Sequence, residues 1–184
     1  MVNNGDLGAT KFVAGADVNV EKAWELCTGN PSIIVAVLDE GVDFSHPDLK
    51  ANMWVNEKEK NGREGVDDDK NGYVDDIHGY NFLSTYNVED KSGELMPVNW
   101  TRQGDSGHGT HVAGTVAAVN NNGIGVCGVA GGDGTPGTGV RLMTCQLFSG
   151  NASCGTMSRA KAYKYAADMG ACVLQCSFGQ ASGL

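Results

Sequence analysis

The chain has 184 residues, of which 41% are hydrophobic and 19% charged, a composition typical of a single globular domain and not of a disordered chain. Its 13 basic and 22 acidic residues give a net charge of −9, which repels a phosphate backbone, so nucleic acid is not an expected partner. No apolar run approaches the roughly 20 residues that cross a bilayer, so we expect no membrane span.

The first part of the chain predicts a short helix and then a buried strand. The helix covers Asn19–Cys27, where Asn19 is a candidate cap, apolar residues recur at helical spacing and Gly29 ends the pattern. The strand covers Ile33–Leu38, a continuous aliphatic run of the kind found in central parallel strands. Asp39 follows directly, so we expect this carboxylate at the carboxyl end of a strand, where α/β sheets bind ligands.

The stretch 52–107 shows little regular pattern, and we expect short strands and an ion-stabilised turn there. In residues 67–72 of this stretch, carboxylate or amide side chains stand at alternate positions and are followed by Gly72. Calcium loops of the EF-hand type have the same pattern. His78 replaces the twelfth-position glutamate of such loops, and no flanking helices are evident. The pattern therefore predicts a calcium loop without an EF-hand, with a solvated acidic turn as the alternative. The predicted ligands are Asp67, Asp69, Asn71, the carbonyl of Tyr73, and Asp75 or Asp76.

The second half of the chain predicts helices and strands in alternation. A helix of small residues covers His108–Asn120, a strand covers Val140–Leu147, an alanine-rich helix covers Met157–Met169 and a strand covers Ala171–Ser177. With Ile33–Leu38 in front, the order is strand, helix, strand, helix, strand. This order favours an α/β fold with a doubly wound, mainly parallel sheet.

The six cysteines include no closely spaced pair. Cys172 and Cys176 are four residues apart in a predicted strand, about 13 Å, which is too far for a disulfide. We therefore expect most of the cysteines to be buried free thiols, with one long-range disulfide as the alternative.

Two motifs, in the order in which they follow along the chain, resemble those of the subtilisin family of serine proteases. The first covers Asp39–Asp43, after the buried strand, and the second covers Gly107–Thr115, at the start of a helix. The similarity extends over residues 20–179. The resemblance implies a subtilisin-like fold, in which residues 1–184 form the N-terminal part of one peptidase domain of a secreted bacterial enzyme. We expect the sheet to be incomplete, because the C-terminal part of such a domain is absent.

The resemblance implies that Asp39 orients the imidazole of His108 and that His108 is the general base. Such a pair is needed because a serine hydroxyl is a weak nucleophile until a base takes its proton. The family's serine and oxyanion asparagine lie in later segments, so we expect this chain to be inactive alone. Ser158 is the nearest superficial match and lacks the motif. His111 is expected to pack inside the fold.

A substrate cleft is also implied by the resemblance. Ser177, Phe178 and Gly179 are expected to form one wall, and residues 152–155, with Ser153 among them, the facing wall. An extended polypeptide would add to such an edge through main-chain hydrogen bonds, which tolerate many sequences.

A second structural calcium site follows from the same resemblance. Its expected ligands are Asp48, Asn121 and the carbonyls of Val119, Ile124 and Val126.

The location expected for such an enzyme is secreted or extracytoplasmic, although this chain shows no signal segment. We also expect self-association, because truncation would expose apolar surface. The alternative function is a non-catalytic, calcium-dependent module that binds peptides and keeps the cleft.

Overall fold

The computed structural model describes Val13 and residues 15–179. Residues 1–12, 14 and 180–184 of the predicted domain lie outside this described part. Its strands are β1 Ile34–Glu40, β2 Gly79–Asn81, β3 Arg141–Ser149, β4 Ala152–Ser153 and β5 Val173–Gln175; its helices are α1 Glu21–Trp24, α2 Glu57–Lys60, α3 His108–Ala117 and α4 Thr156–Asp168, with a 3₁₀ turn at Lys50–Asn52.

The strands form one sheet with the order β2-β3-β1-β5, and β4 is added to β3. All neighbours pair in parallel except β3 and β4, which are antiparallel. The prediction of an α/β fold with a mainly parallel sheet is therefore confirmed.

Alternation along β1 divides the core into two layers, because successive strand side chains point to opposite faces. Val35 and Val37 belong to the cluster that contains residues of α3, whereas Ala36 and Leu38 belong to the cluster that contains residues of α4. Helices thus cover both faces, as the continuous aliphatic run of β1 requires.

The boundaries of several elements differ from the predicted ones. α1 has only four residues, its N-cap is Val20 instead of the predicted Asn19, and the backbone of Asn19 has a φ of 48°. The helix predicted for His108–Asn120 ends at Ala117. The chain turns extended at that point, and the N–H of Val119 donates to the carbonyl of Asp48.

The six cysteines all lie in the described part and have free thiols. The expectation that most are buried is wrong: only Cys145 and Cys154 are buried, and Cys27 and Cys172 are exposed. Within residues 15–179, no helix has the length and apolar character needed to cross a bilayer.

Candidate active site

Asp39 and His108 are brought together where β1 ends and α3 begins. Asp39 follows Val35 and Val37 on the face of the sheet that α3 covers, because strand side chains alternate. His108 is the first residue of α3. Its Nδ1 lies 2.8 Å from Oδ1 of Asp39, and the N–H of Glu40 donates to the same oxygen at 2.7 Å.

The surroundings of this pair are asymmetric. The Asp39 side chain is 4% exposed, whereas that of His108 is 47% exposed. The hydrogen bond that His108 donates to Asp39 raises the pKa of His108 above its usual value. Burial lowers this pKa, and the charges of Asp39 and Glu40 raise it further. A buried carboxylate beside Nδ1 favours the tautomer that carries its proton there, which leaves Nε2 free to act as a base.

The serines predicted to be non-catalytic make contacts with other residues than this pair. In α4, Ser158 lines a cavity of about 200 Å³ together with Tyr86 and Lys161. The hydroxyl of Ser177 accepts a hydrogen bond from Gln175 at 2.7 Å. Among the described residues, no serine hydroxyl is hydrogen-bonded to the ring of His108.

His111 lies one turn further along α3. The prediction that it packs inside is wrong, because its side chain is exposed and lines an open groove of about 1160 Å³ beside Trp24 and Trp100. The fourth residue of a helix faces inward only when that side of the helix is covered, and the sequence pattern alone does not show which side this is.

The segments predicted as cleft walls meet around three side chains. Ser153 is in β4, which pairs antiparallel with the end of β3, and residues 176–179 follow β5. The rings of Phe148 and Phe178 are 5.2 Å apart, and the guanidinium of Arg159 lies 5.4 Å from one and 5.7 Å from the other. These contacts join the segment after β5 to the end of β3, where Phe148 pairs with Ser153, near the start of α4.

The acidic loop gathers carboxylates, one of which the loop pattern does not include. Single oxygens of Glu59, Asp67 and Asp69 all lie within 4.8 Å of one another. Glu59 is buried in α2, and its carboxylate accepts hydrogen bonds from the N–H groups of Asp68, Asp69 and Asp75. The alternating pattern does not point to Glu59, because the pattern begins at Asp67, eight residues later.

The other predicted ligands lie on the inner side of this loop. Asp76 is fully buried, accepts hydrogen bonds from Asn56, Asn71 and the hydroxyl of Tyr165, and has its pKa raised by burial to about 7. Tyr73 donates its N–H to the side chain of Asn71 at 2.8 Å. The loop is thus tied to α4 through Asp76.

At the second predicted site, the carboxylate of Asp48 has other partners than expected. It accepts hydrogen bonds from the Asn122 side chain at 2.7 Å and from the Val126 N–H at 2.9 Å. Asn121 lies next to this contact with a φ of 54°. A metal at this second loop stays a prediction.

Comparisons with known proteins identify the family to which this chain belongs. A family model described as the subtilase family, peptidase S8, matches residues 30–183. Subtilisin-like protease 1 of Plasmodium vivax is 50% identical over 97 residues, which cover 53% of this chain and 13% of that protein. Halolysin of Haloferax mediterranei is 31% identical over 166 residues, which cover 90% of this chain and 25% of halolysin. The chain therefore spans a quarter or less of the length of these two relatives.

Two solved structures have a similar fold. The serine protease of Aeromonas sobria, in complex with a chaperone, gives a TM-score of 0.58 and 26% identity over 94% of this chain and 22% of its own. Fervidolysin from Fervidobacterium pennivorans, a keratinolytic enzyme, gives a TM-score of 0.51 and 28% identity over 84% of this chain and 18% of its own.

Proposed function

Because this chain belongs to the subtilase family, we propose that it provides the catalytic aspartate and the catalytic histidine of a serine endopeptidase. The observation that carries this proposal is the 2.8 Å contact between Nδ1 of His108 and the buried carboxylate of Asp39. The same contact gives no advantage to a module that only binds peptides, so the peptidase is the function favoured here.

In the proposed reaction, Nε2 of His108 takes the proton of a serine hydroxyl as its oxygen attacks the carbonyl carbon of a peptide. Asp39 accepts the Nδ1–H bond throughout and stabilises the imidazolium. The imidazolium then gives its proton to the leaving amine, which leaves an acyl-enzyme that water hydrolyses. The serine would come from a segment other than these 184 residues, so the 184 residues alone are expected not to hydrolyse peptides.

The substrate in this proposal is a polypeptide in extended conformation. Ser177, Phe178 and Gly179 would form one wall, and Ser153 would belong to the other. Supporting this, Phe178 is fixed by its ring contact with Phe148. A secreted or extracytoplasmic location and a bacterial source belong to the same proposal.

Calcium would be structural and would bind at the acidic loop. Glu59, Asp67 and Asp69 offer hard carboxylate oxygens close together, and these suit calcium. A bound cation would also lie near the buried Asp76, whose carboxylate form burial disfavours. Asn71 and Tyr73 belong to the same proposed ligand set, and Asp48 and Asn121 to a second site.

Activity of the full-length protein that contains this chain tests the proposed function. We expect it to hydrolyse an unfolded polypeptide and to be blocked by a serine-directed reagent. His108→Ala and Asp39→Asn should each lower kcat by about 10⁴-fold or more. His111→Ala, on the same helix, is the matched control and should keep activity. Undiminished hydrolysis in the purified His108→Ala protein would refute the proposal.

A further inference from the structure

The first turn of α3 has no cap from its own N-cap residue. Gly107 occupies that position with a φ of 75° and has no side chain to offer. The first N–H groups of a helix have no partners within the helix, and a side chain normally accepts from them. Here the acceptor comes from the sheet. The carboxylate of Glu40 accepts from the N–H of His108 and from the N–H and hydroxyl of Ser106, each at 3.1 Å.

An irregularity at the end of β1 allows two successive side chains to reach the same helix. Since neighbouring side chains of a regular strand face opposite ways, Glu40 would normally point away from α3 when Asp39 points towards it. The pairing with β3 shifts between them, because Asp39 pairs with Gln146 and Glu40 pairs with Phe148. Irregularities of this kind redirect side chains. Both carboxylates therefore contact His108, one at its ring and the other at its backbone.

The start of α3 also lies very close to the end of β1. A Cβ at Gly109 would lie 2.3 Å from the carbonyl oxygen of Glu40, so the helix backbone itself is packed against the strand. The charge of Glu40 lies at the helix N-terminus, where a negative group is stabilised by the helix dipole. Asp39 and Glu40 are the charged groups that act on the ring of His108.

We propose that Glu40 is a positioning residue, which caps α3 from the sheet and so holds the ring of His108 against Asp39. It acts through the backbone of His108 and through Ser106, and it contacts no reacting atom. Describing His108 as a base rests on the proposed function, whereas the capping contact does not.

Two substitutions at one position separate the charge of Glu40 from its capping role. Glu40→Gln keeps an acceptor oxygen but no charge, so the pKa of His108 should fall while the His108 amide stays protected from hydrogen exchange. Glu40→Ala removes both, so the pKa should fall and the amide should exchange faster. NMR titration of the imidazole and amide exchange on the same sample measure the two effects. Glu89→Gln, at an exposed loop, is the charge-matched control.

Unchanged titration and unchanged amide exchange in Glu40→Ala would overturn the proposal. If Glu40→Ala does not fold, Glu40→Asp decides, because its shorter side chain withdraws the carboxylate from the N–H groups of His108 and Ser106; a His108 amide that exchanges as slowly in Glu40→Asp as in Glu89→Gln would overturn the proposal equally. The histidine titrates whether or not the protein is a peptidase. Failure of the proposed function and failure of the role of Glu40 are therefore distinguishable.

Discussion

At the scale of residues, the pairing of Asp39 with His108 was implied by the resemblance to the subtilisin family, and two motifs at element boundaries carry that resemblance. A strand end and a helix start are marked in the sequence by composition, and parallel strands place such ends at one edge of the sheet. Glu59 and the capping role of Glu40 could not be predicted. Both depend on which backbone N–H groups a side chain meets in the folded chain, and no spacing along the sequence encodes this.

Protonation of His108 should make stability depend on pH. Asp39 raises the pKa of His108 in the folded chain above its value in the unfolded chain, about 6.5. The stabilisation is therefore fully present below that pH and is lost as pH rises through the folded pKa. Asp39→Asn should lower the pKa of His108 and flatten this pH dependence.

NMR titration and chemical unfolding over the same pH series measure both effects. Asp43→Asn is the control, because its carboxylate contacts Ser45 and not His108. A pH dependence that is identical in wild type and Asp39→Asn would contradict the assigned cause.

At the scale of elements, the long periodic segments were predictable and the short ones were not. The helix predicted for Met157–Met169 is α4, Thr156–Asp168, shifted by a single residue. α1 has only one turn, and its Trp24 indole donates to the carbonyl of Val129, 105 residues away. Helices this short depend on tertiary contacts of that kind instead of on propensity.

Calcium should stabilise the acidic loop and the elements joined to it. Because Tyr165 of α4 donates to Asp76 at 2.6 Å, fixing the loop also fixes that helix. A cation that binds only the folded chain should raise the free energy of unfolding by about 2.7 kcal/mol at a concentration 100 times its Kd. We expect the Asp67→Asn/Asp69→Asn double variant to lose this increase, since it removes two of the three clustered charges.

Thermal unfolding in chelator and in calcium measures the increase separately for each protein, so the stability of the variant itself does not matter. Asp90→Asn, at an exposed loop, is the control. An equal calcium-induced shift in the double variant and the control would place the ion elsewhere.

At the scale of the whole molecule, the parallel sheet was predictable from the order of elements, and exposed apolar surface was expected, but the strand that forms the exposed edge was not identified from the sequence. β5 is the last strand of the described sheet and pairs only with β1. Its side chains Val173 and Leu174 are 48% and 37% exposed. The sequence predicted a strand at 171–177, but composition does not show whether such a strand has a neighbour on its second side.

This edge should make the chain associate with itself, since an unpaired strand with apolar side chains is a template for pairing. We expect the sedimentation coefficient of the 184-residue chain to rise with concentration. Leu174→Lys should weaken that rise. Met157→Lys is the matched control, because Met157 is an exposed apolar residue that belongs to α4 and not to β5. Equal association of the two variants would argue against β5 as the interface.

The order of strands in the sheet also determines when each strand can pair while the chain is being synthesised. β1 lies between β3 and β5, and both are made after it. Roughly 100 residues separate the end of β1 from the start of β3, which takes about 5–20 s at the usual rate of synthesis. During this interval the aliphatic run of β1 has no strand beside it. We therefore expect the newly made chain to depend on chaperones more than a chain whose neighbouring strands are made one after the other.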